Sequence, residues 1–344
     1  MQRLGQHFLK NLSVLRKIAE ALDVGTVPPS PAGFSEAKNT VIEIGPGHGE
    51  LTGELLAFTC PNDHPVGRGC EVLGKSTQNV KIIAIEKDQR LAEELRQRFA
   101  TEPRIEIVTG DALKVLPSIV THLFPNPSSP KSYNLKASAE GGSASGGQGY
   151  RLAGNIPYYI TGHLLRIISE LEHKPKQCVF TLQKEVAERI CAKPPRANRL
   201  SVSVQYWAEP KIIAVVPRED FKPMPKVDSA ILVCHSRVGG NPETHREAVD
   251  SRLRGNDTID RESYYRAVRV LFAQPRKTVL NNLVESMKYK GESMEGDIGT
   301  SGKKIGAMRI LKQAGIDPKA RPQNLSVEQI IALSKTGKGL NQSV

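Results

Sequence analysis

Thr40-Val41-Ile42-Glu43-Ile44 is a short β-branched run that breaks directly into Gly45-Pro46-Gly47-His48-Gly49, after which Glu50 to Phe58 has helical spacing. Strand, glycine turn and helix in that order begin a βαβ unit, because the glycines allow a tight reversal and let a ligand approach the backbone at the electropositive helix start. The pattern then repeats. Lys81-Ile82-Ile83-Ala84-Ile85-Glu86 predicts a second strand, Gln89 to Phe99 a charged helix, and Arg104-Ile105-Glu106-Ile107-Val108 a third strand ending near Gly110-Asp111. A further strand-like run, Arg151-Leu152-Ala153-Gly154, leads into Asn155-Ile156-Pro157-Tyr158. Such alternation specifies an α/β fold with a doubly wound, mostly parallel sheet. Ahead of it, Leu12, Leu15, Ile18, Ala19 and Leu22 recur at the spacing of an amphipathic helix over Asn11 to Leu22.

From about Arg261 the pattern becomes helical only, over Tyr264 to Ala273, Arg276 to Met287, Ile305 to Ala314 and Val327 to Ser334, with Ser326 placed as a cap. Three stretches cannot build a core: 59–78 is polar with glycine and cysteine, 125–149 is rich in Ser, Gly and Pro, and 236–258 is charged and rich in Gly, Asn and Arg. They are expected to be surface insertions, since loop closure grows costly only slowly with length. The expected organisation is an α/β domain over 1–235, an insertion or linker over 236–258 and a helical domain over 259–344.

The 344 residues carry a net charge of +12, which suits a polyanionic partner such as nucleic acid. Cys60, Cys70, Cys178, Cys191 and Cys234 form no CxxC pair and no Cys/His cluster of zinc spacing, so reduced thiols and no metal are expected. Met1 to Phe8 has no apolar signal region, and no apolar run is long enough to cross a bilayer. A cytoplasmic protein is the expectation.

The strand ends carry the chemistry. The Gly45 turn with an acid at Glu86 suits a ribose whose two hydroxyls a carboxylate accepts, which leaves a dinucleotide such as NAD open. Glu43 before the glycines, the Gly-Pro-Gly sequence, and Asp111 placed to meet an adenine amino group favour S-adenosylmethionine. In Asn155-Ile156-Pro157-Tyr158 the Asn amide oxygen and the Ile156 carbonyl, held by Pro157, can accept an exocyclic amine, and Tyr158 offers a flat face to its ring. Taken alone, the tetrapeptide is equally a proline turn that buries its tyrosine.

Together these motifs make the chain resemble the ribosomal RNA adenine N6-dimethyltransferase family, and within it the small-subunit dimethyladenosine transferases. The resemblance runs through Gly5 to Asn11, Glu43 to Thr52, Ala84 to Asp88, Gly110 to Ala112, Gly154 to Thr161, Leu182 to Arg189, Phe221 to Ala230 and Leu271 to Lys277. It implies a class I methyltransferase fold with a small helical C-terminal domain and S-adenosylmethionine as cofactor, held by positions matching His7, Leu9, Gly45, Glu86, Asp111 and Asn155. It also implies transfer to N6 of two adjacent adenosines near the 3′ end of small-subunit (16S) rRNA in the immature 30S particle, by a monomer. Asn155, Ile156, Pro157 and Tyr158 would hold the flipped base, with Phe221 covering its other face. Pro275 stands where the family has an arginine, and Tyr159 where many members have Asn. The alternatives are the related large-subunit (23S) methyltransferase of the macrolide-resistance type, a non-catalytic RNA-binding relative, and an NAD-dependent oxidoreductase.

Overall fold

The computed structural model describes residues 7–22, 40–59, 80–124, 149–237, 261–288 and 300–336. Gly5, Gln6, Cys60, Cys70, the Pro28 to Pro31 turn and nearly all of the three expected insertions lie outside them. The chain divides into two compact units, Met1–Ala187 with Trp207–Gly240, and Glu188–Tyr206 with Asn241–Val344.

The first unit holds strands β1 (Phe8–Leu9), β2 (Thr40–Ile44), β3 (Lys81–Glu86), β4 (Ile105–Thr109), β5 (Arg151–Asn155), β6 (Gln177–Gln183), β7 (Ala208–Val216), β8 (Phe221–Lys222) and β9 (Ser229–Ser236). Its helices are α1 (Leu12–Ala21), α2 (Glu50–Phe58), α3 (Gln89–Arg98), α4 (Ala112–Leu123) and α5 (Thr161–Glu170); α6 (Lys184–Cys191) begins in it. Seven strands form one sheet in the order β4-β3-β2-β5-β6-β9-β7. The first five are parallel, and β9 runs antiparallel to both its neighbours, so the doubly wound, mostly parallel sheet is as expected. All five residues of β2 are buried, which explains why it has no polar alternation: a central parallel strand is covered on both faces.

Strand order positions the site. The chain builds outward from β2 through β3 to β4, then crosses to β5 and β6 on the other side. At such a reversal the carboxyl ends of the two central strands part and leave a crevice. Gly154 sets how close they come: a Cβ there would lie 2.4 Å from the Ile44 carbonyl oxygen. Helix α1, capped by the Asn11 side chain accepting from the Ser13 amide, buries Leu15, Ile18 and Ala19. Leu15 and Ile18 each contribute roughly 1.5–3 kcal/mol by leaving water. Short β1 pairs antiparallel with β8, matching Phe8 to Lys222 and Leu9 to Phe221. The Asn11 amide reinforces that join by donating to Asp220 Oδ1 at 2.9 Å.

The second unit is helical: α7 (Arg199–Gln205), α8 (Arg261–Leu271), α9 (Val279–Lys288), α10 (Thr300–Gln313) and α11 (Val327–Thr336) surround a core that includes Tyr264, Leu271, Leu283, Leu311 and Ile330. Residues 188–206, within the first domain in the sequence reading, cluster with the C-terminal helices. The cause is aromatic packing: Tyr206 stacks on Tyr264 at 4.0 Å, whose hydroxyl donates to the Val202 carbonyl at 2.9 Å. Helix α10 also starts earlier than predicted, at Thr300 instead of Ile305. Ser326 caps α11 as expected, in a reciprocal pair with Gln329.

Candidate active site

The carboxyl ends of β2, β3 and β5 open onto a cleft continuous with solvent. Gly45, in a left-handed turn at φ 68°, forms its floor; its amide donates to the Ile85 carbonyl at 3.0 Å, tying the turn to β3. Glu86 ends β3 and is 3% exposed. Its carboxylate accepts from the Gly47 amide at 3.1 Å and the Asp88 amide at 2.8 Å, so the acid and the glycine turn brace each other. Burial pushes the Glu86 carboxyl above its usual range despite those two bonds. One strand inward, Glu43 is 1% exposed, and burial raises its pKa to about 7 while the Thr52 hydroxyl donates to it at 2.7 Å.

Asp111 stands after β4 and caps α4, accepting from the Leu113 amide at 3.0 Å. Its second oxygen takes the Lys87 ammonium at 2.9 Å. Partial burial pushes this carboxyl up, but Lys87 and the Leu113 amide outweigh it and hold the pKa below the usual value. Asn155 ends β5. Its Nδ2 donates to the His7 carbonyl at 2.6 Å, which fixes the amide so that Oδ1 is the atom left to accept. His7 is itself held by an Nδ1–H bond to the Pro223 carbonyl at 2.7 Å, and its ring lies 5.8 Å from that of Tyr158, 29° from parallel. Tyr158 starts a short 3-10 turn after Pro157, and its hydroxyl shares a 2.8 Å hydrogen bond with Ser229.

Among the described residues no helix is long and apolar enough to cross a membrane, and no cluster of three or more His, Cys, Asp or Glu could hold a metal. The model of the ribosomal RNA adenine dimethylase family matches residues 1–64 and 67–335. The chain belongs to that family. Relatives named ribosomal RNA small subunit methyltransferase A, from Shouchella clausii and Moorella thermoacetica, are each 32% identical over 96% of this chain, covering 87% and 90% of their own lengths. A solved dimethyladenosine transferase from Plasmodium falciparum superposes with a TM-score of 0.60 at 24% identity, over 96% of this chain and 98% of that one. The 23S rRNA methyltransferase ErmE gives 0.55 at 22% identity, over 97% and 100%. Both likenesses show the class I methyltransferase fold.

As a ribosomal RNA adenine dimethylase, the protein is a methyltransferase whose methyl donor is S-adenosylmethionine. The cleft fits that group: a glycine floor without side chains, a buried carboxylate at Glu86 for ribose hydroxyls, an ionised one at Asp111 for an adenine amine, and apolar Ile44, Ile85 and Ala112 between them.

Eight of the residues named from sequence line this cleft: His7, Gly45, Glu86, Asp111, Asn155, Ile156, Pro157 and Tyr158. Leu9 and Phe221 do not. They face each other across the β1–β8 ladder and sink into the core, at 3% and 2% exposure. Phe221 therefore presents no face to the cleft here, and Leu9 lies in the ladder next to the rim residues His7 and Phe8. Sequence reasoning gave no role to Phe8, whose ring fills the space a Cβ on Gly47 would need, within 2.7 Å. It also passed over Lys87, the ion-pair partner of Asp111, and treated the 62%-exposed Tyr159 only as a departure from family pattern. Position beside a strand-end acid was the available signal for Lys87.

Proposed function

We propose that this enzyme dimethylates N6 of two adjacent adenosines near the 3′ end of small-subunit ribosomal RNA during subunit assembly, acting as a monomer in the cytoplasm. The choice of subunit rests on the relatives named small subunit methyltransferase A. The chemistry rests on one observation, the Asn155 amide turned by the His7 carbonyl so that its oxygen is free to accept.

An adenine amino group is a weak nucleophile because its lone pair is delocalised into the ring. Two acceptors, Asn155 Oδ1 and the Ile156 carbonyl, would take its two N–H bonds and draw the nitrogen out of conjugation. Tyr158 would stack on the extruded base, a contact worth about 1–3 kcal/mol. S-adenosylmethionine, when bound, supplies an electrophilic methyl on a cationic sulfur. Glu86 would hold its ribose, Asp111 its adenine, and the Gly45 turn would let it approach the backbone. The large-subunit reading has only the fold likeness to ErmE behind it.

Asn155→Ala tests the assignment. Transfer should fall by about a hundredfold or more, as when one acceptor or donor at a reacting centre is removed, with RNA affinity unchanged in a filter-binding assay. Full activity in the variant would remove Asn155 from the mechanism.

A further inference from the structure

Tyr158 has to present its ring at a fixed angle if it is to stack on a base, yet its backbone lies in a three-residue turn. The side chain is anchored from elsewhere. Its hydroxyl meets Ser229 Oγ at 2.8 Å, from a residue 71 positions further along the chain. Ser229 is 0% exposed and opens β9, where it pairs with Gln183 of β6 on one side and Val216 of β7 on the other. A residue held in register by two strands is among the most rigid points in a sheet, so the bond ties the mobile end of the tyrosine to the stiffest part nearby. The same stretch of chain holds the neighbouring ring: Pro223 accepts from His7, which stacks against Tyr158.

The geometry points to Ser229 as a positioning residue for methyl transfer, which sets the angle of the Tyr158 ring and through it the seat of the target adenine. This rests on the reading of Tyr158 as the stacking face. Phe221, at the other end of the same segment, is buried, so the segment acts on the base by holding Tyr158 and His7 in place. Ser229 touches neither base nor cofactor. Its influence should be largest on the second methylation, in which a bulkier, monomethylated base must be held at the same angle.

A double-mutant cycle tests this on immature small-subunit particles, using Ser229→Ala, Tyr158→Phe and the pair. Each single change deletes one side of the same bond. Each should lower kcat/KM for the RNA by about threefold to tenfold, the range of one hydrogen bond, and the pair should be no worse than the weaker single. The share of product left as N6-methyladenosine should rise equally in all three, with S-adenosylmethionine affinity unchanged. Ser229→Ala at wild-type kcat/KM and product ratio, or losses that multiply in the pair, would overturn the inference. Tyr158→Phe breaks the bond from the cleft side without disturbing β9, so its agreement with Ser229→Ala is required even if the latter melts early. Full activity in Tyr158→Ala would instead reject the stacking role of Tyr158, a separate failure.

Discussion

Glu43 shows what a single residue does in a strand buried on both faces. Burial strips its carboxyl of water, which outweighs the bond from the Thr52 hydroxyl, so the fold favours its protonated form and raises its pKa from 4.5 to about 7. A carboxyl raised in this way stabilises the fold fully below pH 4.5, and that contribution is lost as pH rises through about 7. The shift corresponds to roughly 3 kcal/mol. Glu43→Gln keeps the shape and the Thr52 bond but cannot ionise. Urea unfolding across pH 4.5 to 8 should show the wild type losing about 3 kcal/mol more than the variant; parallel curves would contradict it. The acids were legible in sequence because each lies within a strand run, at its end or just past it. Leu9 and Phe221 were not, because motif position does not say which way a side chain points. Only the β1–β8 pairing turns both into the core.

Among the elements, β2 and β5 matter most, since the cleft lies between their ends. Gly154 sits where a Cβ would meet the Ile44 carbonyl at 2.4 Å, a contact with backbone that cannot move aside cheaply. Gly154→Ala should force the two strands apart, displacing Gly45 and Asn155 together. Loss of both melting temperature and S-adenosylmethionine affinity is expected by calorimetry, and a variant that bound the cofactor normally would show that the spacing is not critical. The βαβ order was readable because buried β-branched runs and glycine turns have strong local signatures. The assignment of α7 was not, since Tyr206, Tyr264 and Tyr265 come together only in three dimensions across more than fifty residues of chain. Its capping box of Asn198 and Ser201 is a local signal for the helix, but carries no information on which unit the helix joins.

Taken as a whole molecule, the chain carries a net +12, and Arg189, Arg196, Arg199, Lys222, Lys226 and Arg276 are exposed. Lys277 is engaged with Glu285 at 3.2 Å, and Lys10 pairs with Glu50. The logarithm of the RNA-binding constant should fall linearly with the logarithm of salt concentration, and Arg276→Ala should reduce that slope by about one while leaving sequence preference unchanged. A slope equal to the wild type would take Arg276 out of the RNA-binding surface. Charge and fold together allow several ribosomal RNAs, and the target is the point on which the functional account depends. The most direct measurement is incubation with labelled S-adenosylmethionine and either immature small-subunit particles or large-subunit RNA, followed by nucleoside analysis. The account predicts label in N6,N6-dimethyladenosine from the small-subunit particles alone; dimethyladenosine in large-subunit RNA, or label in neither, would contradict it.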